Sequence, residues 1–384
     1  MRRIVASVER VWRHVIVYPF LRVIFKNPET KLPINLSEVR SILILRYDKI
    51  GDMVVTLPVV RILKARNPNV QIAVLASEVN AEIARNEDSI DRVFVLSRNA
   101  FLMFRELYRI RSAQFQVVLN FIFNRMTSGA LIANLSCANA IKVGQGQEKY
   151  RFYFNAFLTL PRGQIHMVEM LIMYIEQVFG IHVQPEEKVL SVSSAHEAEV
   201  NVSSYLKAHD LKRRSDVAQR GSNYVVFNVS ARQENKRLST QQSTAIAAFL
   251  GNQLHLHTVM IFAPEDIEMA RGVVLKANCQ RCLLFPPNGD ANLKQIAALL
   301  NGAVSVITPD TAIVHIASAV STPVLGIFTP LQVNQEWLPY NVRYQVIRAS
   351  VGKPVSAIPT DVLIDGIDRF FRTSSDPNSN NQEK

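Results

Sequence analysis

Asp52 sits in the run RYDKIGDMVVTLP (46–58), directly after the apolar segment SILIL and before the helix-like VVRILKARNP. A carboxylate in a polar turn at the carboxyl end of a buried strand suits a general base, because open α/β sheets bind their ligands at that edge. The same position suits an N-cap, in which the carboxylate only accepts bonds from free helix amides. On the residues alone both readings stand, with Gly51 expected to supply the backbone freedom of a tight turn. A second stretch, ITPDTAIVHIASAV (307–320), again follows a strand pattern and opens a helix pattern. Asp310 and Thr311 fall at its start, where unpaired amides and the helix dipole favour an anion such as phosphate. His315 lies one turn beyond Thr311 on roughly the same face, as a packed core histidine or as a ligand contact. In a third stretch, NVSARQENKRLS (228–239), Ser230 can bond to phosphate oxygens and Lys236 can meet a developing negative charge; a plain solvated basic loop is the alternative.

The elements that must position these residues alternate. Apolar strand-like runs SILIL, QIAVLA (71–76), VFVL (93–96), QVVLNFI (116–122) and AIKVG (140–144) are separated by segments with helical spacing, which predicts βαβ units on a parallel sheet. HMVEMLIMYIEQVFG (166–180) predicts a long helix ending at Gly180. A charged, Ser-rich segment with one helix follows, and then the alternation restarts with YVVFNV (224–229), TVMIFA (258–263), CLLF (282–285), AVSVI (303–307) and PVLGIF (323–328). The expected organisation is an extension over 1–40, a doubly wound domain over 41–181, a linker over 182–222, a second doubly wound domain over 223–372 and a disordered polar tail over 373–384. Three polar turns at strand ends, spread over two such domains, predict a ligand cleft between them.

Composition narrows the function class. The 384 residues carry a net charge of +11, which favours an anionic partner: nucleic acid, an acidic membrane surface or a phosphorylated substrate. Outside the first forty residues no nucleic-acid motif or aromatic-basic interleaving accompanies that charge. Neither domain has a GxGxxG or a GxxxxGK[ST], which disfavours a nicotinamide enzyme and a P-loop NTPase. Three cysteines are too few for a disulfide framework and fit a reducing compartment. CQRC (279–282) lacks a second CxxC and begins an apolar strand, so it reads as structural even with HLH (255–257) considered as further ligands. The amino terminus, MRRIVASVERVWRHVIVYPFLRVIFKNPETK, is broken by Arg13, His14, Pro19 and Arg22, which makes a poor membrane span and no convincing signal peptide. It predicts an interfacial helix with Trp12, Val15, Val17, Tyr18 and Phe20 at the headgroup boundary and Arg2, Arg3, Arg10 and Arg13 on anionic lipid, or a helix packed on the protein's own surface.

Taken in order, these stretches resemble glycosyltransferase family 9, the ADP-heptose:lipopolysaccharide heptosyltransferases. The resemblance runs from about Ser41 to Leu338 through RYDKIGDMVVTLPVVRILKARNP, KVGQGQEKYRFYFN, HMVEM, NKRLS, FAPEDIEMAR and PDTAIVHIAS. It implies the α/β GT-B fold, two Rossmann-like domains facing a central cleft, and an inverting, metal-independent transfer with no cofactor. Asp52 would deprotonate the acceptor hydroxyl, and Lys236, with the amides near Thr311 and Ala312, would stabilise the departing nucleotide diphosphate. Ser230, Asp310 and His315 would shape the donor site and Glu265 would meet the adenosine ribose. Arg46, Lys49, Lys142, Lys149 and Arg151 would face an acidic, lipid-linked acceptor at the cytoplasmic face of the inner membrane, with segments 97–112 and 144–155 as acceptor loops and no nucleic acid bound. Ala312 replaces a usual glycine, Leu238 and Ser239 stand where many members have Trp-Pro, and the extension before Ser41 is unusual. The alternatives are a GT-B transferase using another nucleotide sugar and a catalytically lapsed scaffold at the membrane.

Overall fold

The computed structural model describes residues 18–372 except 26, 124–125, 194, 216–222, 290 and 331–334. Most of the interfacial helix expected near the amino terminus, the end of the 182–222 segment and the 373–384 tail lie outside the described residues. Two compact units divide the chain, Met1–Lys188 and Val189–Lys384.

The first unit contains α1 (Tyr18–Ile24), β1 (Ser41–Arg46), α2 (Ile50–Val54), α3 (Leu57–Arg66), β2 (Gln71–Ser77), α4 (Ala81–Arg85), β3 (Arg92–Leu96), α5 (Ala100–Ala113), β4 (Val117–Asn120), α6 (Met126–Ser136), β5 (Ile141–Gln145), β6 (Ala156–Leu158) and α7 (Met167–Phe179). Its six strands are all parallel, in the order β3-β2-β1-β4-β5-β6. Continuous apolar runs make this possible: every residue of β1 after Ser41 is buried, as a strand covered on both faces requires. Leu43, Leu45, Leu75, Phe94 and Val118 form one face of the core with Ile110 of α5. α7 ends as expected at Gly180, whose φ of 63° is the left-handed cap that glycine adopts without strain.

One expectation changes and another holds. The segment 97–112 is mostly the helix α5, because the Asn99 side chain accepts from the Leu102 amide at 3.2 Å and starts it. The HMVEM segment acts as a helix start: His166 Nδ1 accepts the Val168 amide at 3.1 Å, and Glu169 pairs with Lys188 at 2.7 Å.

The second unit contains α8 (His196–Ala208), β7 (Tyr224–Asn228), α9 (Thr240–Ala248), β8 (His257–Ile261), α10 (Ile267–Ala277), β9 (Cys282–Phe285), α11 (Leu293–Gly302), β10 (Val306–Pro309), α12 (Ala312–Ala319), β11 (Val324–Phe328), β12 (Tyr344–Arg348) and α13 (Thr360–Arg372). Its strands are again parallel, ordered β12-β11-β10-β7-β8-β9. α8 packs on α11, and Tyr205 donates to the Leu284 carbonyl at 2.9 Å, so this helix belongs to the second unit. Cys279 and Cys282 are buried in the core beside Ala247, and a Cβ added at Gly251 would fall 2.0 Å from Cys279 Sγ. Among the described residues no three His, Cys, Asp or Glu side chains could hold a metal ion, and no helix is long and apolar enough to cross a membrane.

Both sheets follow the strand order 3-2-1-4-5-6 when counted within their own unit. The order reverses between β1 and β4 in the first and between β7 and β10 in the second, and ligands of doubly wound sheets bind outside the strand ends at that reversal.

Candidate active site

In the first unit the reversal point is occupied by the turn between β1 and α2. Arg46, the last residue of β1, is fully buried. Its Nε donates to the Asp52 carbonyl at 2.8 Å, its Nη1 donates to the Phe121 carbonyl and, at 3.3 Å, to Asp48, and its Nη2 lies 3.5 Å from the Asp52 carboxylate. One guanidinium thus ties the ends of β1 and β4 to the turn. Arg46 was expected to face the acceptor; it instead fixes the position of Asp52 from within. Asn80 closes the other side, donating to the Arg46 carbonyl at 2.9 Å and to the Lys49 carbonyl at 3.2 Å.

Asp52 is the third residue of α2. Lys49 flanks the helix and makes no side-chain cap, and the Asp52 carboxylate turns toward Arg46 with 11% of its side chain left exposed. The N-cap reading is therefore not what the geometry shows. Gly51 is helical and is not among the glycines with positive φ, so the tight-turn reason for glycine is corrected as well.

Asp48 is a member of this cluster that the sequence did not single out. It is mostly buried, its Oδ1 has no hydrogen-bond donor, and its carboxyl is pushed up from 3.8 to about 6, by burial first and by the neighbouring Asp52, while Arg46 pulls the other way. The folded chain keeps this proton between about pH 4 and 6, where the unfolded chain has released it. Its support for folding is complete below the unfolded value and is lost as pH rises through 6. Asp48→Asn, which keeps the shape and removes the charge, is expected to raise the unfolding free energy at pH 7.5 by on the order of 2–3 kcal/mol and to change it little near pH 3.5. Urea unfolding at both pH values measures this; equal effects at the two would refute it.

The other acceptor candidates separate. Lys49 is exposed beside the turn. Lys142 is 1% exposed and its ammonium donates to the carbonyls of Cys137, Ala138 and Ala140 at 3.3, 2.9 and 2.9 Å. With all three donors used internally, Lys142 does not face an acceptor, contrary to the expectation from the sequence. Lys149 and Arg151 are exposed on the crossover from the carboxyl end of β5 to the amino end of β6, with Arg151 paired to Glu29 at 2.6 Å. The asparagine that ends this crossover, Asn155, bonds the Lys142 backbone, which puts that end of the loop at the sheet's amino edge.

In the second unit the reversal point gathers more of the expected residues. Lys236 and Asp310 form an ion pair of 2.5 Å across the ends of β7 and β10. Asn228, the last residue of β7, donates to the hydroxyls of Thr308 and Thr311 at 2.9 and 3.1 Å and accepts from the Ser230 amide at 3.1 Å. Ser230 Oγ in turn accepts the Ala263 amide at 2.9 Å, joining the turn after β8 that carries the exposed Glu265. Arg237 ties the lysine loop to the same turn through Asp266, at 3.1 Å. Asn228 and Arg237 carry this arrangement and were not predicted; the only sequence signal for them was their place in a polar turn after a strand.

Thr311 caps α12, its hydroxyl accepting from the Ile313 amide at 3.3 Å. Ala312 is the first helical residue and is not in the left-handed region, so its methyl group brings no backbone strain where glycine is usual. His315 is buried and meets Trp337 edge-on, ring centroids 5.7 Å apart, which orients the ring within the unit. A hollow of about 640 Å³ lies beside the lysine loop between Glu234, Asn235, Thr329 and Lys353. None of the expected donor residues lines it.

Each unit therefore presents charged side chains, rigidly held, at the edge where a doubly wound sheet takes its ligand. Comparison with known proteins agrees with this architecture. The chain is 21% identical over 353 residues to the lipopolysaccharide core heptosyltransferase OpsX of Haemophilus influenzae, covering 87% of this chain and 94% of that protein. A glycosyl transferase family 9 structure from Veillonella parvula superposes with a TM-score of 0.72 at 18% identity, over 89% of this chain and 99% of the other. Escherichia coli heptosyltransferase WaaC, solved with ADP, superposes with a TM-score of 0.65 at 17% identity, over 87% and 99% of the two chains. The sequence profile of glycosyltransferase family 9 (heptosyltransferase) matches residues 103–357. Two parallel Rossmann-type units of the GT-B class and this match over most of the chain lead to one conclusion: the protein belongs to glycosyltransferase family 9 and is a glycosyltransferase.

Proposed function

We propose that the protein transfers heptose from ADP-heptose to the inner core of lipopolysaccharide, with inversion at the anomeric carbon and without a metal, at the cytoplasmic face of the inner membrane. The observation that carries this reading is the Lys236–Asp310 pair beside the Thr311-capped start of α12, a cation and helix amides at the end of β10. A nucleotide diphosphate fits such a place, because its charge grows as the sugar leaves and preorganised donors stabilise it most at that moment. The matched proteins support the choice of donor and acceptor: one is a lipopolysaccharide core heptosyltransferase and another was solved with ADP.

In the proposed reaction the acceptor hydroxyl attacks the anomeric carbon, its proton passes to the Asp52 carboxylate, and the bond from that carbon to the β-phosphate oxygen breaks with its electrons leaving on ADP. Arg46 holds Asp52 in position. Ser230, Glu265 and Ala312 line the donor side, and Lys49, Lys149 and Arg151 are the cations left for a phosphorylated acceptor.

Calorimetry of the purified protein with ADP, UDP and GDP tests the donor. ADP is expected to bind at least tenfold more tightly than the other two. Tighter binding of UDP or GDP would move the function to a different nucleotide sugar, and binding of none would overturn this donor reading in favour of the catalytically lapsed scaffold.

A further inference from the structure

Helix α5 presents to water the side chains a soluble surface normally hides. Phe101, Phe104 and Tyr108 are 74%, 66% and 71% exposed. Their spacing of three, four and seven residues puts the three rings on one outward stripe. Leu135 of α6 adjoins them, 56% exposed, its carbonyl accepting from Arg111 at 3.0 Å. At about 200 Å² per ring side chain, the three aromatics alone leave on the order of 400 Å² of apolar surface in water.

Cations outnumber acids around the stripe, where the exposed Glu78 accepts from Ser97 Oγ at 2.6 Å beside Arg98. Arg98, Arg105, Arg109 and Arg111 are all exposed on or beside it. The single acid of α5, Glu106, is buried on the inner side and pairs with Arg109 at 2.9 Å, so no carboxylate faces outward from the helix. Aromatic rings flanked by an excess of arginines are complementary to the headgroup boundary of an anionic bilayer, where rings sit at the acyl edge and guanidinium groups meet phosphate. α5 follows β3, so its amino end, carrying Phe101, lies at the carboxyl edge of the first unit's sheet, the edge that holds Asp52.

We propose that the outward face of α5, formed by Phe101, Phe104 and Tyr108 with Arg98 and Arg105, docks the first unit on an anionic lipid surface. This rests on the reading of a lipid-linked acceptor and adds the surface by which the enzyme reaches it. It also places membrane contact on residues outside the amino-terminal extension.

The test is co-sedimentation of the full chain with vesicles of phosphatidylcholine alone and with added phosphatidylglycerol. Binding is expected only to the anionic vesicles and should weaken with salt. Phe101→Ala/Phe104→Ala/Tyr108→Ala should weaken it by about tenfold or more, and Arg98→Gln and Arg105→Gln by roughly fivefold each. ADP binding and the thermal midpoint, read on the same variants, should not change. Wild-type levels of vesicle binding in the triple variant would overturn the proposal, as would a dimer of the wild-type chain in solution that the triple variant converts to monomer. ADP bound without vesicle binding would sink the docking face and leave the donor reading intact; vesicle binding through this face without ADP bound would do the reverse.

Discussion

Asp52→Asn is expected to lower kcat by about 10²- to 10⁴-fold while leaving ADP binding within about twofold of wild type. The turn is held by the Asp52 backbone carbonyl, which accepts from Arg46 Nε and from Thr56 Oγ1, each at 2.8 Å. An amide keeps those bonds and the side-chain volume, and loses the ability to take a proton together with the charge that faces Arg46 Nη2 at 3.5 Å. Its carboxylate makes no capping bond, so the substitution removes no helix cap. Single-turnover measurements with ADP-heptose and a core acceptor would show the loss in the chemical step. Unchanged turnover would exclude Asp52 as the base.

Lys236→Ala is expected to reduce transfer by about 10²- to 10³-fold and to weaken ADP binding by at least about tenfold. Two effects add. In the proposed reaction the leaving diphosphate loses its cation, and Asp310, whose side chain is only 13% exposed, becomes an unpaired carboxylate at the place proposed for the donor phosphate. The second effect can be isolated: Lys236→Ala/Asp310→Asn should recover part of the ADP binding lost in Lys236→Ala without recovering the rate, since the repulsion is relieved and the cation is still missing. A double variant no better than the single one in calorimetry would mean that Asp310 does not face the donor.

The loop that carries Lys236 is held without Trp-Pro at positions 238 and 239. Leu238 is buried, Ser239 caps α9 by accepting the Gln242 amide at 3.1 Å, and Arg237 bonds the Ala231 carbonyl at 2.7 Å. The lysine is therefore positioned by its own neighbours, whatever side chains follow it.

Much of this was legible in the residues. The runs ILIL (42–45) and YVVF (224–227) are apolar at every position because a parallel strand is covered on both faces, and Asp52, Lys236 and Asp310 follow such runs. The helix ends at Gly180 and Thr311 were readable from their local chemistry. Two edge strands were not: AFL, with three residues inside an aromatic-rich loop, and YQVIR, half-buried and mixed in polarity, pair along one side only and carry no strong period.

By itself the sequence determined two doubly wound units and the polar turns at their strand ends, because burial on both sides of a sheet and the backbone needs of helix starts are written in local residue order. Only the tertiary structure decided which charges are available. Arg46 and Lys142 look like any other cations in the sequence, yet each sits within reach of backbone carbonyls brought together by the fold, and a buried cation must spend its donors there. Phe101, Phe104 and Tyr108 read like core residues of a helix. Which side of α5 meets Phe94 and Val118, and which meets water, depends on where that helix lies on the sheet, a distance no local pattern records.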